Sequence, residues 1–363
     1  MTEIESLDDF DRAVERARHA SRSMSGWEVQ NLDLTSRADA LEELDPAGAL
    51  FLGCTIPDPV AERLRSRGAL LFPDLPDLPF DPWRAELYTA TELYDGLDRG
   101  YEHTLDARVY AWARNPRHRQ DLARLLASAL HDSSIDDALG ECMTGRRTVG
   151  VMGGHALTRG DEAYADAARL GRGLADHGFT VATGGGPGAM EAANLGARLA
   201  EEDPAVLNQV LGDLGEVPSY RPDVTAWARV ALTAVEGLSD SGRSLGIPTW
   251  HYGHEPPNPF ASVVAKYFRN AIREDVLLEV SRAGIVFLPG AAGTVQEVFQ
   301  AACTNYYAQA HEVVPMVFVG EDYWRSTLPA WPLVDVLAAG RPFGARVRLV
   351  ATTEEALGLL VDE

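Results

Sequence analysis

The stretch 283–300, AGIVFLPGAAGTVQEVFQ, holds residue types at a spacing that could do chemistry on a phosphorylated molecule. Ile285 to Leu288 is a continuous apolar run of the kind that forms a strand buried on both faces. Pro289 to Gly293 interrupts it, and a helical pattern begins at Thr294. Gly290 and Gly293 let backbone N–H groups approach a ligand, and Thr294 is a good N-cap. A helix N-terminus favours an anion, so a phosphate is the natural guest. Glu297 lies about one turn inside that helix, where its carboxylate would hang beside whatever the phosphate is attached to. That is an odd neighbour for a phosphate unless chemistry is done there. The alternative is an acid complementing the helix dipole, worth a few tenths to about 1 kcal/mol.

A second glycine-rich loop stands earlier in the chain. Val149 to Gly154, VGVMGG, reads as a buried strand ending in Gly153 and Gly154, and Asp161 to His177 has helical spacing. From Phe179, FTVATGGGPGAMEAAN repeats strand, glycine loop and helix. Two successive units of this kind predict a doubly wound parallel sheet (α/β, Rossmann-like, helices on both faces), with ligands at the carboxyl ends of its strands. Gly184, Gly185, Gly186 and Gly188 do not spell the dinucleotide fingerprint or a P-loop, which argues against a hydride carrier or an ATPase. Alone, such a run is more often a tight turn than a ligand site. Two on one sheet would open at the same edge, and phosphate binding by at least one of them is expected. Glu191 on this loop could contact a ribose hydroxyl or be a solvated first-turn acid. His155, just after Gly154, either lines the pocket or makes surface hydrogen bonds.

The elements that must carry these loops follow from the rest of the chain. With 363 residues, 46% hydrophobic and 24% charged, it is long enough for one large or two smaller domains. Lys plus Arg number 32 against 54 for Asp plus Glu, a net −22 that opposes extended contact with nucleic acid or an anionic membrane. Bound phosphate would therefore be held by local donors. Cys54, Cys142 and Cys303 are widely spaced, without C-x-x-C, so a reducing cytoplasm fits and neither disulfides nor zinc are expected. An acidic start and the lack of an apolar run of about 20 residues give no sign of export or membrane insertion. His251, His254 and Glu255 read H-x-x-H-E, not the zinc-protease order, and the prolines after them exclude the helix such a site needs, so no metal is expected.

Taken in order, residues 1 to about 46 read as polar and helix-prone, with a surface helix around Leu7, Phe10, Val14 and Ala17. Gly48 to Cys54, Pro59 to Arg67 and Ala69 to Phe72 suggest a small βαβ unit. Pro73, Pro76, Pro79 and Pro82 make an irregular arm. Three helical patterns follow from Arg84 to about Met143, their aromatics serving packing. Residues 201–243 read as an insertion near the sheet, Ser244 to Trp250 as a strand and Ser262 to Val280 as a long helix. Val313 to Val319 is another strand, Val347 to Thr352 an edge strand. The expected division is 1–146, an N-terminal helical and βαβ region, and 147–363, a nucleotide-binding domain.

GGGPGAM at 184–190 and LPGAAGTVQE at 288–297 together resemble the two signatures of the LOG-type phosphoribohydrolases, proteins long misannotated as lysine decarboxylases. The HEPPNPF loop at 254–260 and the added N-terminal region look closer to the larger bacterial nucleotide 5′-monophosphate nucleosidases of that superfamily. The resemblance implies that Glu297 is catalytic and that Gly290, Ala291, Ala292, Gly293 and Thr294 cradle the phosphate of a nucleoside monophosphate. Gly153, Gly154, Gly184, Gly185, Gly186, Gly188 and Met190 complete the nucleotide site. Ala291 stands where the family usually has glycine, and Gln296 where many members have another glutamate. In place of an Arg-Lys pair on the preceding helix there is Arg273, one residue out of register and the second catalytic candidate, with Arg269 and Asn270 a turn earlier as further candidates for the site.

The chemistry so implied is consistent with the residues. Cleaving an N-glycosidic bond passes through an oxocarbenium-like ribose, which a carboxylate near C1′ stabilises while positioning a water. Arg273 would bind phosphate or restrain a carboxylate, and no cofactor is required. The resemblance also implies a homodimer, which the sequence alone merely permits. Two function classes stay open: a phosphoribohydrolase releasing base and ribose 5-phosphate, and a nucleotide-binding sensor or regulatory protein without turnover.

Overall fold

The computed structural model describes residues 2–72, 77–115, 122–251 and 255–362. The chain divides into two compact units, one of residues 1–86 and 116–138, the other of 87–115 and 139–363.

The first unit is built on a four-stranded parallel sheet: β1 (Thr2–Ile4), β2 (Trp27–Gln30), β3 (Leu50–Leu52) and β4 (Leu70–Phe72), in that spatial order. Helices α1 (Leu7–His19), α2 (Ala38–Glu43) and α3 (Asp58–Ser66) connect the strands. The βαβ unit read from 48–72 is there, but it is half of a larger sheet. The expected surface helix α1 buries Phe10, Ala13, Val14 and Ala17 in the unit's core beside Val29 and Phe51. Its start is fixed by Ser6, whose hydroxyl accepts the Asp9 N–H at 3.1 Å. β1 and β2 are too short to announce themselves as alternating patterns. Of the proline arm, Pro73 and Pro76 lie outside the described residues, and Pro79 and Pro82 sit in neither helix nor strand.

The second unit begins with α4 (Ala90–Leu93) and α5 (Leu105–Arg114), and α6 (Leu122–Met143) runs into it from the first. Its frame is a doubly wound α/β sheet of β5 (Thr148–Met152), β6 (Thr180–Thr183), β7 (Ser244–Gly246), β8 (Val263–Val264), β9 (Gly284–Phe287), β10 (Met316–Val319) and β11 (Val347–Val350). The order across the sheet is β11-β10-β9-β5-β6-β7-β8, every pairing parallel. Strands β5, β6, β9 and β10 are buried along their whole length, which is why they read as unbroken apolar or small-residue runs.

The chain winds outward from β5 through β6, β7 and β8, then returns to lay β9 on the other side of β5. A crevice opens at such a reversal, outside the carboxyl ends of the central strands. One face of the sheet packs on α7 (Glu162–Asp176) and α8 (Ala189–Arg198), with Val149, Val181, Val286 and Val317 meeting Tyr164, Ala168, Leu170 and Leu195. A Cβ on Gly171 or Gly196 would collide with the backbone of the other helix, so these glycines let α7 and α8 touch backbone to backbone.

Two segments differ from expectation. Residues 201–243 form α9 (Pro204–Gly215) and α10 (Val224–Ala234), and Leu207, Val210, Leu214 and Ala231 belong to the sheet's core rather than to an appendage. The long helix expected from Ser262 is confined to α11 (Asn270–Val280). The β-branched pair Val263–Val264 instead extends the sheet, and the Ala265 N–H donates to Gly246 O at 2.9 Å. The strand expected at Ser244 stops at Gly246, just short of Pro248, which has no N–H for the ladder. α12 (Ala292–Tyr307), α13 (Trp331–Ala338) and α14 (Thr353–Val361) complete the unit.

Candidate functional site

The loops after β5, β6 and β9 are neighbours because their strands are, and one peptide ties all three. The Gly154 N–H donates to Pro289 O at 3.0 Å, and Gly154 O accepts the Ala189 N–H at 3.1 Å. Gly188, at φ +76°, packs against this peptide so closely that a Cβ there would lie 2.5 Å from Gly154 O. Both glycine loops therefore open onto one cavity of about 1030 Å³, lined by residues of the second unit alone.

α12 begins at Ala292 with Ala291 as its N-cap, and no side chain caps it. This corrects the expectation of Thr294 as the cap. Thr294 sits in the first turn instead, its side chain against Gly290, where a Cβ would collide with Thr294 Oγ1. The Val295 N–H returns to Ala291 O at 3.0 Å, and the N–H groups before it have no partner within the helix. Tyr323 holds the loop from the other side, its hydroxyl donating to Gly290 O at 2.7 Å. The result is an uncapped helix N-terminus at the cavity wall, suited to an anion.

Glu297 is the sixth residue of α12, beyond the first turn, so the dipole reading of this acid does not apply. Its side chain is 9% exposed and lines the cavity, with Arg273 Nη1 donating to Oε1 at 3.0 Å. Burial pushes the Glu297 carboxyl above the ordinary glutamate range. The Arg273 guanidinium pulls it back, and the neighbouring Glu274 pushes it further up. The site thus contains a carboxylate held in place by one cation from α11 yet destabilised in its charged form.

Gly153, Gly154, His155, Gly184, Gly186, Met190, Arg273, Gly290, Ala291, Ala292, Gly293, Thr294 and Glu297 all line the cavity. His155 is half-exposed there, with Nδ1 3.3 Å from Glu255 Oε1. Gly185, Gly188, Arg269 and Asn270 are not among the lining residues. Gly185, at φ +69°, turns away to accept the Asn258 N–H at 2.8 Å, and a Cβ there would strike Pro248. Glu191 is neither a solvated acid nor a cavity residue: it is fully buried in an ion pair with Arg159, which also donates to Trp227 O at 2.9 Å. A charged side chain in the core is kept there only by such a partner, and Arg159 lies too far along the sequence for spacing to reveal it.

Sequence reasoning missed Glu274. It lines the cavity, 5% exposed, accepting from Asn270 Nδ2 at 2.6 Å and from Gln296 Nε2. The signal was available: Asn270, Glu274 and Leu277 share the buried stripe of α11, and two polar residues on a core-facing stripe need a reason. Of the H-x-x-H-E group, His254 lies outside the described residues. Among the described residues no group of three or more His, Cys, Asp or Glu side chains could hold a metal ion, and no helix is long and apolar enough to cross a membrane.

Residues 146–202 match the model of the SLOG cluster4 family, and residues 230–358 match the model described as "Possible lysine decarboxylase". The two matches bear out the resemblance of these regions to LOG-type proteins. Both glycine loops and the Arg273–Glu297 pair fall inside the matched segments. No curated protein matches the chain. Solved structures similar to this chain include the molybdenum cofactor binding protein of the phototrophic bacterium Rippkaea orientalis, with 20% identity over 60% of this chain and 96% of that one, TM-score 0.37. Two structures of the Moco carrier protein of Chlamydomonas reinhardtii, at 19% and 18% identity, each cover 60% of this chain and 99% of theirs, with TM-scores 0.36 and 0.38. Likeness at this level carries no argument about ligand or activity.

Proposed function

We propose that this protein is a nucleoside 5′-monophosphate phosphoribohydrolase, cleaving the N-glycosidic bond to free base and ribose 5-phosphate. The observation that carries the reading is the buried Arg273–Glu297 pair set beside an uncapped helix N-terminus in one cavity. The 5′-phosphate is received by the backbone donors of Ala292 to Thr294, with the Gly153–Gly154 and Gly184–Gly186 loops closing the opposite wall. Glu297 then stands where positive charge develops on the sugar. Its carboxylate stabilises the oxocarbenium-like transition state and orients the attacking water, while Arg273 holds it in place and favours its charged form. The water's proton leaves through Glu297, and the departing base takes a proton from solvent or a polar group at its own end of the cavity.

One feature favours a second reading, a nucleotide-binding sensor without turnover. Arg273 already neutralises Glu297, and a carboxylate so engaged has less charge to offer a transition state. Incubation with a panel of nucleoside monophosphates separates the two. The enzyme releases free base and ribose 5-phosphate. The sensor is stabilised against heat by the same ligands and releases none.

A further inference from the structure

Glu274 is a buried carboxylate on the cavity wall whose protein partners are both neutral amides. Oε1 accepts from Asn270 Nδ2 at 2.6 Å, and Oε2 accepts from Gln296 Nε2. Arg273, the residue before it, donates from Nη1 to Glu297 Oε1 at 3.0 Å. A buried charge left to neutral donors is costly unless something else supplies hydrogens to it. Each carboxylate oxygen has two acceptor sites, and here one on each is taken from the protein side. What remains is one acceptor site on each oxygen of a carboxylate that lines the cavity, enough to receive two donors on adjacent atoms.

Two kinds of guest could meet it. A divalent cation is opposed by the Arg273 charge at the neighbouring carboxylate, and the described residues include no metal-binding group. Neutral hydroxyls meet no such opposition. We propose that Glu274 is a specificity-determining residue that receives the vicinal 2′- and 3′-hydroxyls of a ribose from the cavity side, so that the site selects ribose phosphates over 2-deoxyribose phosphates. The assignment rests on the phosphoribohydrolase reading for its ligand class. Within that reading it divides the labour between the two acids: Glu297 faces the bond that breaks, and Glu274 grips the diol. Asn270 and Gln296 are positioning residues, since their amides fix the carboxylate plane. Gln296 matters in this role as an amide donor, which a glutamate there could not be when ionised.

The test compares ribose 5-phosphate with 2-deoxyribose 5-phosphate by titration calorimetry, and the corresponding adenosine and 2′-deoxyadenosine 5′-monophosphates by base release. Loss of a hydrogen bond to a charged acceptor predicts that the wild-type protein favours the ribose compound by at least about thirtyfold. Glu274→Gln, which replaces one acceptor by an amide donor, brings the two pentose phosphates within about threefold of each other. A wild-type ratio below about threefold overturns the proposal whether or not the variant folds, as does a folded variant that keeps the ratio. Base release without ribose discrimination sinks the Glu274 assignment alone. Ribose discrimination without base release sinks turnover and keeps Glu274. Binding of neither pentose phosphate overturns both.

Discussion

Replacing Glu297 by glutamine removes one unit of charge from the cavity wall and changes almost nothing else in shape. The amide oxygen can still accept the Arg273 hydrogen bond that the carboxylate accepts at 3.0 Å, so the α11–α12 contact survives. What is lost is attraction to a positive sugar. A full charge about 4 Å away at an effective dielectric of about 20 interacts by about 4 kcal/mol. Arg273 draws off part of the negative charge, which leaves about 3 kcal/mol, or roughly two orders of magnitude in rate. Affinity for a nucleotide should hardly move, because on the proposed reading the anion is held by backbone donors of the α12 N-terminus, which the substitution does not touch. The assay is free-base release under single-turnover conditions, with the dissociation constant measured separately by calorimetry. A Glu297→Gln protein within a few fold of wild-type rate refutes the electrostatic role and shifts the balance to the binding module. A parallel loss of affinity would show that the residue acts on the ground state instead.

The raised position of Glu297 fixes the sign of a pH effect. The proposed chemistry needs Glu297 ionised, so base release should rise with pH through a value above the ordinary 4.5, and Glu297→Gln should lack that limb. The unfolded chain ionises this acid earlier than the folded one. Wild-type stability measured by urea melts should therefore fall relative to Glu297→Gln as pH climbs from about 4.5 through the raised value. Arg273→Ala removes the counter-charge, so it should move the acid limb further up and lower neutral-pH turnover by about tenfold or more, with partial recovery at higher pH. Full activity of Arg273→Ala at neutral pH would contradict the pairing argument. Gly290→Ala drives a methyl into Thr294 and to 3.0 Å from Gly154 N. It should destabilise by about 1–3 kcal/mol in thermal or urea melts and abolish nucleotide-induced stabilisation.

How far the sequence reached depended on whether an element's role is written locally. The strand-loop-helix units at 149–177, 179–198 and 284–307 were legible because unbroken apolar runs meet glycine loops there, and Glu297 stood out by its distance from one of them. The start of α12 was misplaced because Thr294 looks like a cap, whereas the turn at Pro289–Ala291 lets the helix begin two residues earlier on a residue with no capping side chain. β1, β2 and β8 are two to four residues long, and their pairing is decided by partners far along the chain. Glu191 and Glu274 are acids whose meaning lies wholly in what they touch. One meets Arg159, 32 residues away, in the core, and the other meets Gln296, 22 residues away, at the cavity, with only the polar Asn270 one turn before Glu274 as a local sign.

The Gly154 peptide, bonded through its N–H to the loop after β9 and through its carbonyl to the first residue of α8, works as a fixed gauge. Neither glycine loop can shift outward without breaking its bond to Gly154, and strands buried on both faces leave little slack behind them. The span from the anion-receiving helix end to the opposite loop is therefore set before any ligand arrives. Such a site measures length. On the proposed reading, a compound whose phosphate and pentose are separated by one extra linking atom should meet unsatisfied donors at one end or a steric wall at the other, because the loops cannot follow it. Little ordering is left to be done on binding, so affinity should come with a small entropic cost and a correspondingly narrow tolerance for analogues.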